Sequence, residues 1–345
     1  MSFVRPVTTL ALGLAASAVA GDPAAWPSYR AGMGRAGFSS QALSFSATET
    51  WRRDLPAPSP AWTSPARRSY WQQLEGILPR VTGDWANHPI ADASRVWLGS
   101  SADDTVRCLD AQTGEPHWSF VADGPVRYAP VLAGERLFFG SDDGFVYCLE
   151  ADTGRLAWRE RLGPRDWRIP GNGRMISLWP VRTSALLANG SLYYAASLTP
   201  WESSWLVSLD PKSGKRQFAE EVSGVTFQGA LLATATTLIA PQGRSSPLLF
   251  EAGTGKAAGA IGLAGGVFCL VTEDEQVLAG PKTQKSRDNQ LLLTNPEGKK
   301  VATFNDTNRA VPASGTAYLL TRGKVKAIRY AEGAKEIWSV VTPAP

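Results

Sequence analysis

Histidine is almost absent from this chain of 345 residues: His88 and His117 are the whole supply. Imidazole is the usual general base near neutral pH, so catalysis of that kind has little to draw on, and no Ser/His/Asp triad assembles from sequence proximity. Cysteine is scarce too. Cys108, Cys148 and Cys269 make an odd number, which leaves at least one thiol unpaired within the monomer. There is no Cys-x-x-Cys-His haem attachment and no Asp-x-Asp-x-Asp-Gly calcium loop. No Lys/Arg run is longer than two, and the net charge is only +4. That excludes nucleic acid as the expected partner and leaves a weak pull toward an anionic polymer. No long stretch repeats apolar residues at helical spacing. The apolar run from Leu10 to Val19 is well short of the roughly 20 residues a membrane-crossing helix needs, so the chain is not expected to span a membrane.

That short run has a different use. It follows a single cation, Arg5, and precedes the small-residue pattern Ala18-Val19-Ala20. Residues 1–20 therefore read as a secretory signal peptide. No Cys near Ala20 offers itself for acylation. The expectation is a soluble protein in the periplasm or outside the cell, with residues 21–47 as an N-terminal extension and 48–342 as one domain.

What the chain has in abundance is repetition. DAQTGEPHW at Asp110–Trp118 recurs as EADTGRLAW at Glu150–Trp158, forty residues on. Fainter copies are DPKSGKRQF (Asp210–Phe218) and EAGTGKAAG (Glu251–Gly259), followed by turns at Asn295-Pro296-Glu297-Gly298 and Ala331-Glu332-Gly333. The glycines fall at 114, 154, 214, 255, 298 and 333. A period of roughly 40–45 residues is that of a propeller blade built from four short antiparallel strands. The fold expected is all-β: a single β-propeller of four-stranded antiparallel blades, six recognisable, in a ring of six to eight. A strand around Thr50–Leu55 is expected to complete or close it.

The motif has its own mechanics. The acid (Asp110, Glu150, Asp210) accepts backbone hydrogen bonds around the turn, and the glycine (Gly114, Gly154, Gly214) supplies a positive φ. The aromatic (Trp118, Trp158) starts the outer strand and wedges against the next blade. VWLGSSADDTVRCLD lies over LFFGSDDGFVYCLE, so Asp103, Asp104, Asp142 and Asp143 recur at equivalent hairpin positions. They are read as turn residues rather than as a catalytic or metal-binding pair. Cys108 and Cys148 occupy the same place in successive blades, too far apart for a disulfide and best read as small buried side chains.

Asp123-Gly-Pro-Val-Arg-Tyr-Ala-Pro130, SDDGFVYCLEADTGRLAW and GNGRMISLWPVR resemble the exported PQQ-like β-propeller repeat proteins of the quinoprotein alcohol dehydrogenase-like superfamily. Trp26-Pro27-Ser28-Tyr29-Arg30 echoes their opening phrase. The resemblance implies two kinds of relative. The enzymes carry pyrroloquinoline quinone with Ca²⁺, an Asp base and a disulfide between consecutive cysteines; this sequence has no such cysteine pair. The other kind is the propeller subunit of the outer-membrane β-barrel assembly machinery, a lipoprotein.

The expected function is accordingly a non-catalytic binding or assembly scaffold for an envelope protein or an anionic polymer, with no cofactor. The alternatives are a divergent dehydrogenase using pyrroloquinoline quinone and calcium, and a carbohydrate-binding or carbohydrate-cleaving propeller. Propellers bind through the loops that differ from blade to blade. The long step from Gly154 to Gly214 holds such a loop, Gly163–Arg182. Candidate ligand residues are Arg168, Asn172, Arg174, Trp179 and Arg182 there, with Trp201 and Arg244 in two later hairpins expected on the same face.

Overall fold

A computed structural model describes residues 25–39, 48–56, 88–171, 173–243, 245–262, 264–281, 290–321, 323–330 and 334–342. The signal-peptide reading, Asn172, Arg244 and the turn at Glu332-Gly333 lie outside these residues. The described chain forms six four-stranded sheets and two two-stranded ones.

Each four-stranded sheet is one blade, with its strands in sequence order from the axis outward. Blade I is β1 (Ile90–Ala91), β2 (Arg95–Gly99), β3 (Thr105–Asp110) and β4 (Pro116–Val121). Blade II is β5 (Val131–Ala133), β6 (Arg136–Gly140), β7 (Phe145–Glu150) and β8 (Leu156–Arg161). Then come the β9 (Arg168–Gly171) and β10 (Arg174–Ser177) hairpin and β11 (Thr183–Ser184). Blade III follows as β12 (Leu186–Ala188), β13 (Ser191–Ala196), β14 (Ser204–Leu209) and β15 (Arg216–Val222). β16 (Gly229–Ala230) pairs in parallel with β11 and leads into blade IV: β17 (Leu232–Ala233), β18 (Thr237–Gln242), β19 (Ser245–Glu251) and β20 (Ala257–Ala260). Blade V is β21 (Phe268–Val271), β22 (Val277–Gly280), β23 (Gln290–Thr294) and β24 (Lys300–Asn305). Blade VI is β25 (Thr307–Ala313), β26 (Thr316–Thr321), β27 (Lys324–Arg329) and β28 (Lys335–Val341).

Burial follows position in the blade. The middle strands β6 and β7 read apolar on both faces because each faces a neighbouring blade, whereas the outer strands β4 and β8 alternate with solvent. Trp97 sits opposite Cys108, which sits opposite Trp118; Phe138, Cys148 and Trp158 repeat that row one blade on. The three cysteines are free, and Cys108 and Cys148 are fully buried in successive inter-blade cores. A bulge interrupts the pairing of third and outer strands at the same place in all six blades.

The turns work as their residues dictate. Asp110 Oδ1 accepts from Gln112 N, Thr113 N and Thr113 Oγ1 at 2.9, 2.8 and 3.0 Å, which holds its carboxyl below the usual range. Gly114, Gly154 and Gly214 have φ of 72°, 70° and 71°. A Cβ on Gly154 would lie 2.6 Å from the Trp118 ring, and one on Gly214 2.7 Å from that of Trp158. The indoles also donate to the next blade, Trp118 Nε1 to Ala151 O at 3.0 Å and Trp158 Nε1 to Pro211 O at 3.2 Å. Each of these two blades therefore latches onto its successor.

Blade I has the same latch, supplied from elsewhere. Residues 48–56 form no strand; instead Trp51 covers Gly114 and donates to Ala111 O at 3.0 Å, while Arg53 donates to Gly114 O at 3.1 Å. Trp51 thus stands where the outer strand of a blade preceding blade I would put its aromatic.

The N-terminal segment 25–39 reaches the innermost part of every blade. Trp26 bridges Ala91, Leu132 N donates to Pro27 O, Ala233 N to Met33 O and Val271 N to Gly34 O. Arg35 donates to Ala185 O and to Leu231 O, and Arg30 to Ala310 O. All six inner strands surround the axis, so this segment occupies it.

Candidate functional site

Antiparallel blades place the turns between second and third strands on the same face as the connections from one blade to the next. The Gly163–Arg182 insertion is such a connection, and its hairpin leans across that face. Arg174 donates to Ser101 O at 2.8 Å and also to Ala102 O and Asp104, in the equivalent turn of blade I. Arg182 grips Asp142 through Nε at 3.1 Å and Nη2 at 2.8 Å, and Arg127 Nε approaches the same carboxylate at 2.7 Å. Asp142 is fully buried between these two cations. Asp143 beside it accepts from Tyr147 Oη at 2.5 Å and Phe145 N at 2.9 Å, and burial raises its pKa. These acids sit in hairpin turns and anchor the loops around them.

The sequence-chosen ligand residues separate into two groups. Arg174 and Arg182 are tied to blades I and II as above, and Trp179 is buried, donating to Ser203 O at 2.9 Å. Arg168 lies beside Asp166 at 3.4 Å. Near it Arg165 stacks on the ring of Trp167 at 4.2 Å. Trp201 is the outlier: it is 82% exposed, at the tip of the β13–β14 hairpin. A cavity of about 360 Å³ lies beside it, walled by Thr199, Pro200, Thr226, Gln228, Gln242 and Gly243. The hairpins of blades III and IV therefore meet on one face, as their repeat positions require.

A second surface was invisible in the sequence. In blade VI, Val311, Tyr318, Ala327 and Trp338 form one cross-strand row, and Arg309, Leu320, Val325 and Val340 the next. Alternation puts both rows on one face. The opposite face, with Ala310, Ala317, Leu319 and Ile328, is packed against blade V. On the open face Val311, Tyr318, Leu320, Trp338 and Val340 are 38%, 39%, 50%, 44% and 58% exposed. Trp338 precedes the blade's bulge as Trp118 and Trp158 do in theirs, yet Trp51 already covers the turn at Gly114 that a directly closed ring would offer it.

A calcium–quinone centre requires a cluster of oxygen donors around the ion. Among the described residues no group of three or more His, Cys, Asp or Glu side chains comes together. The buried acids nearest the loop face are already bound by Arg127, Arg182 and Tyr147. On the axis stands the guanidinium of Arg35, fully buried, its pKa lowered to about 10 by desolvation and its partners backbone carbonyls of Ala185, Leu231 and Tyr29. This donor set does not fit the group. His88 packs on Tyr29 at 4.6 Å with its pKa lowered by burial and by Arg30, and His117 lies on β4.

A family model described as outer membrane protein assembly factor BamB matches residues 45–244, more than half of the chain. The chain belongs to the BamB family. BamB from Moraxella catarrhalis is similar in structure, with a TM-score of 0.52 at 16% identity over 71% of this chain and 69% of that one. A europium-containing methanol dehydrogenase gives 0.55 at 13% identity, over 75% and 69%. Quinohemoprotein alcohol dehydrogenase from Comamonas testosteroni gives 0.62 at 11% identity, over 95% and 68%. At these identities the solved structures share the propeller fold with this BamB-family chain. No curated protein matches it by sequence. No helix among the described residues is long and apolar enough to cross a membrane.

Proposed function

We propose that this chain is a non-catalytic exported propeller that serves as a binding and assembly scaffold for a protein of the cell envelope. The observation that carries the reading is the open face of blade VI, a four-strand apolar surface whose wedge residue Trp338 meets no following blade among the described residues. Exposed patches of this kind mark interaction surfaces. The membership of the BamB family supports an assembly role, and the self-occupied axis supports a structural rather than a cofactor-holding centre.

The test places a photo-crosslinking amino acid at Val340 in the full chain expressed in its own envelope, with the same group at Gln217 on the outer strand of blade III as control. The reading requires a discrete adduct at Val340 that is absent at Gln217 and lost when Leu320→Glu is added. Equal labelling at both positions, or an adduct indifferent to Leu320→Glu, contradicts it.

A further inference from the structure

Blade VI ends in an unguarded edge, and we propose that this edge pairs with its own counterpart in a second copy of the chain, β28 antiparallel to β28. An outer strand presents a row of unpaired N–H and C=O groups, which charge or brevity ordinarily protects. β8 carries Arg159, Glu160 and Arg161, β15 carries Glu220 and Glu221, and β20 has only the four residues Ala257–Ala260. β28 runs for seven residues, all exposed, and its charges, Lys335 and Glu336, are confined to its start. Beyond them Ile337, Trp338, Val340 and Val341 are 46%, 44%, 58% and 70% exposed.

The strand is also complementary to itself. Thr342 N donates to Gly323 O at 2.8 Å, so alternation turns the N–H and C=O of Val340 and Trp338 toward β27 and those of Ser339 and Val341 outward. A two-fold axis through Ser339 therefore brings the outward groups of two copies together. That register sets Trp338 against the partner's Val340, Val341 against the partner's Ile337 and Ser339 against the partner's Ser339. Lys335 and Glu336 fall outside these pairs, and no like charges meet. Aromatic and β-branched side chains opposed in this way stabilise a ladder. Moving the axis to Trp338 would put Glu336 against the partner's Val340, and moving it to Val340 would put Trp338 against the partner's Thr342. Self-matching about one point is what a closed, isologous dimer requires. The axis stands normal to the joined sheet, so the two open faces lie side by side and uncovered. The pairing thus holds whether or not an envelope protein docks on blade VI.

The test is Ser339→Cys in the full chain, oxidised with copper–phenanthroline in air and read by non-reducing electrophoresis. Directly opposed residues bring the two Cα atoms to about 5.5 Å, inside the roughly 4.4–6.8 Å a disulfide needs. Val341→Cys is the register control, because the two copies of that residue stand four places apart, about 13 Å. Covalent dimer should form about tenfold faster or more in Ser339→Cys than in Val341→Cys, and should not form in the unaltered chain, none of whose cysteines lies on β28. Sedimentation of the unaltered chain should show a monomer–dimer equilibrium at about 10–100 μM, as a small interface gives. Ser339→Pro removes only an outward N–H, so it should keep the native circular dichroism and remain monomeric across that range. A photo-adduct at Val340 with the mass of two chains belongs to this pairing and one of any other mass to the envelope partner, so the two readings fail separately. An unaltered chain that stays monomeric across that range, equal cross-linking of the two cysteine variants, or a dimer that survives Ser339→Pro would each overturn the proposal.

Discussion

Two glycines in equivalent turns should respond very differently to alanine. Gly154 and Gly298 both have positive φ, 70° and 80°, so a Cβ costs each about 1–2 kcal/mol of left-handed strain. At Gly298 nothing lies within 4 Å of the added methyl. At Gly154 it would sit 2.6 Å from the ring of Trp118, which must move. Moving it stretches the 3.0 Å bond from its indole to Ala151 O, worth about 1 kcal/mol, and opens packing against blade II worth about 1–2 more. Gly154→Ala should therefore be destabilised by about 2–3 kcal/mol more than Gly298→Ala. Urea unfolding followed by far-ultraviolet circular dichroism and by tryptophan fluorescence measures the difference. Equal losses for the two variants would refute the latch as a source of inter-blade stability.

Removing the buried carboxylate in Asp142→Ala takes the shared ion-pair partner from Arg127 and Arg182 and should cost about 3 kcal/mol in the same assay, with Asp142→Leu combined with Arg182→Met losing less than the single change. All three thiols are pushed up to about 12 by burial, so Cys108, Cys148 and Cys269 should resist a thiol-specific dye at neutral pH in the folded protein and react together in urea. Burial works to raise the Asp103 carboxyl, but hydrogen bonds from Arg107, Ser100 and Thr105 outweigh it and bring the pKa from 3.8 to about 2. A carboxyl lowered on folding contributes stability above its ordinary pKa and loses it as pH falls through the folded value. Asp103→Asn should therefore flatten the acid limb of the stability curve between 3.8 and about 2; an unchanged limb would count against the Asp103–Arg107 pair.

The periodicity of Asp-x-x-Thr-Gly and its aromatic made the blades legible because each copy does the same local work. An acid closes the turn, a glycine reverses the chain, and Trp118 or Trp158 reaches the next blade. Gly298 was legible by spacing alone. The axial segment was not, because Arg30 and Arg35 make their bonds to carbonyls up to 280 residues away, and a carbonyl leaves no mark on sequence. Trp51 belongs to the same blind spot: it fills the latch position without the Gly turn that marks the other copies. The loop insertion stood out by length, but Trp179, Arg174 and Arg182 sit there in contacts with Ser203, Asp104 and Asp142 that composition could not distinguish from ligand contacts. Trp201 was visible for its type and hairpin position, while its exposure and the unpartnered Thr199 hydroxyl emerge only from the packing of two blades.

Whether this propeller is a scaffold whose axis belongs to its own chain is decided by titrating the full chain with pyrroloquinoline quinone, with and without Ca²⁺. Tryptophan quenching and dye-linked alcohol oxidation are followed in the same samples. A scaffold with a self-occupied axis should show no saturable binding and no turnover in either condition. Saturable, Ca²⁺-dependent quenching accompanied by alcohol oxidation would refute that reading and return the protein to the dehydrogenases whose fold it shares.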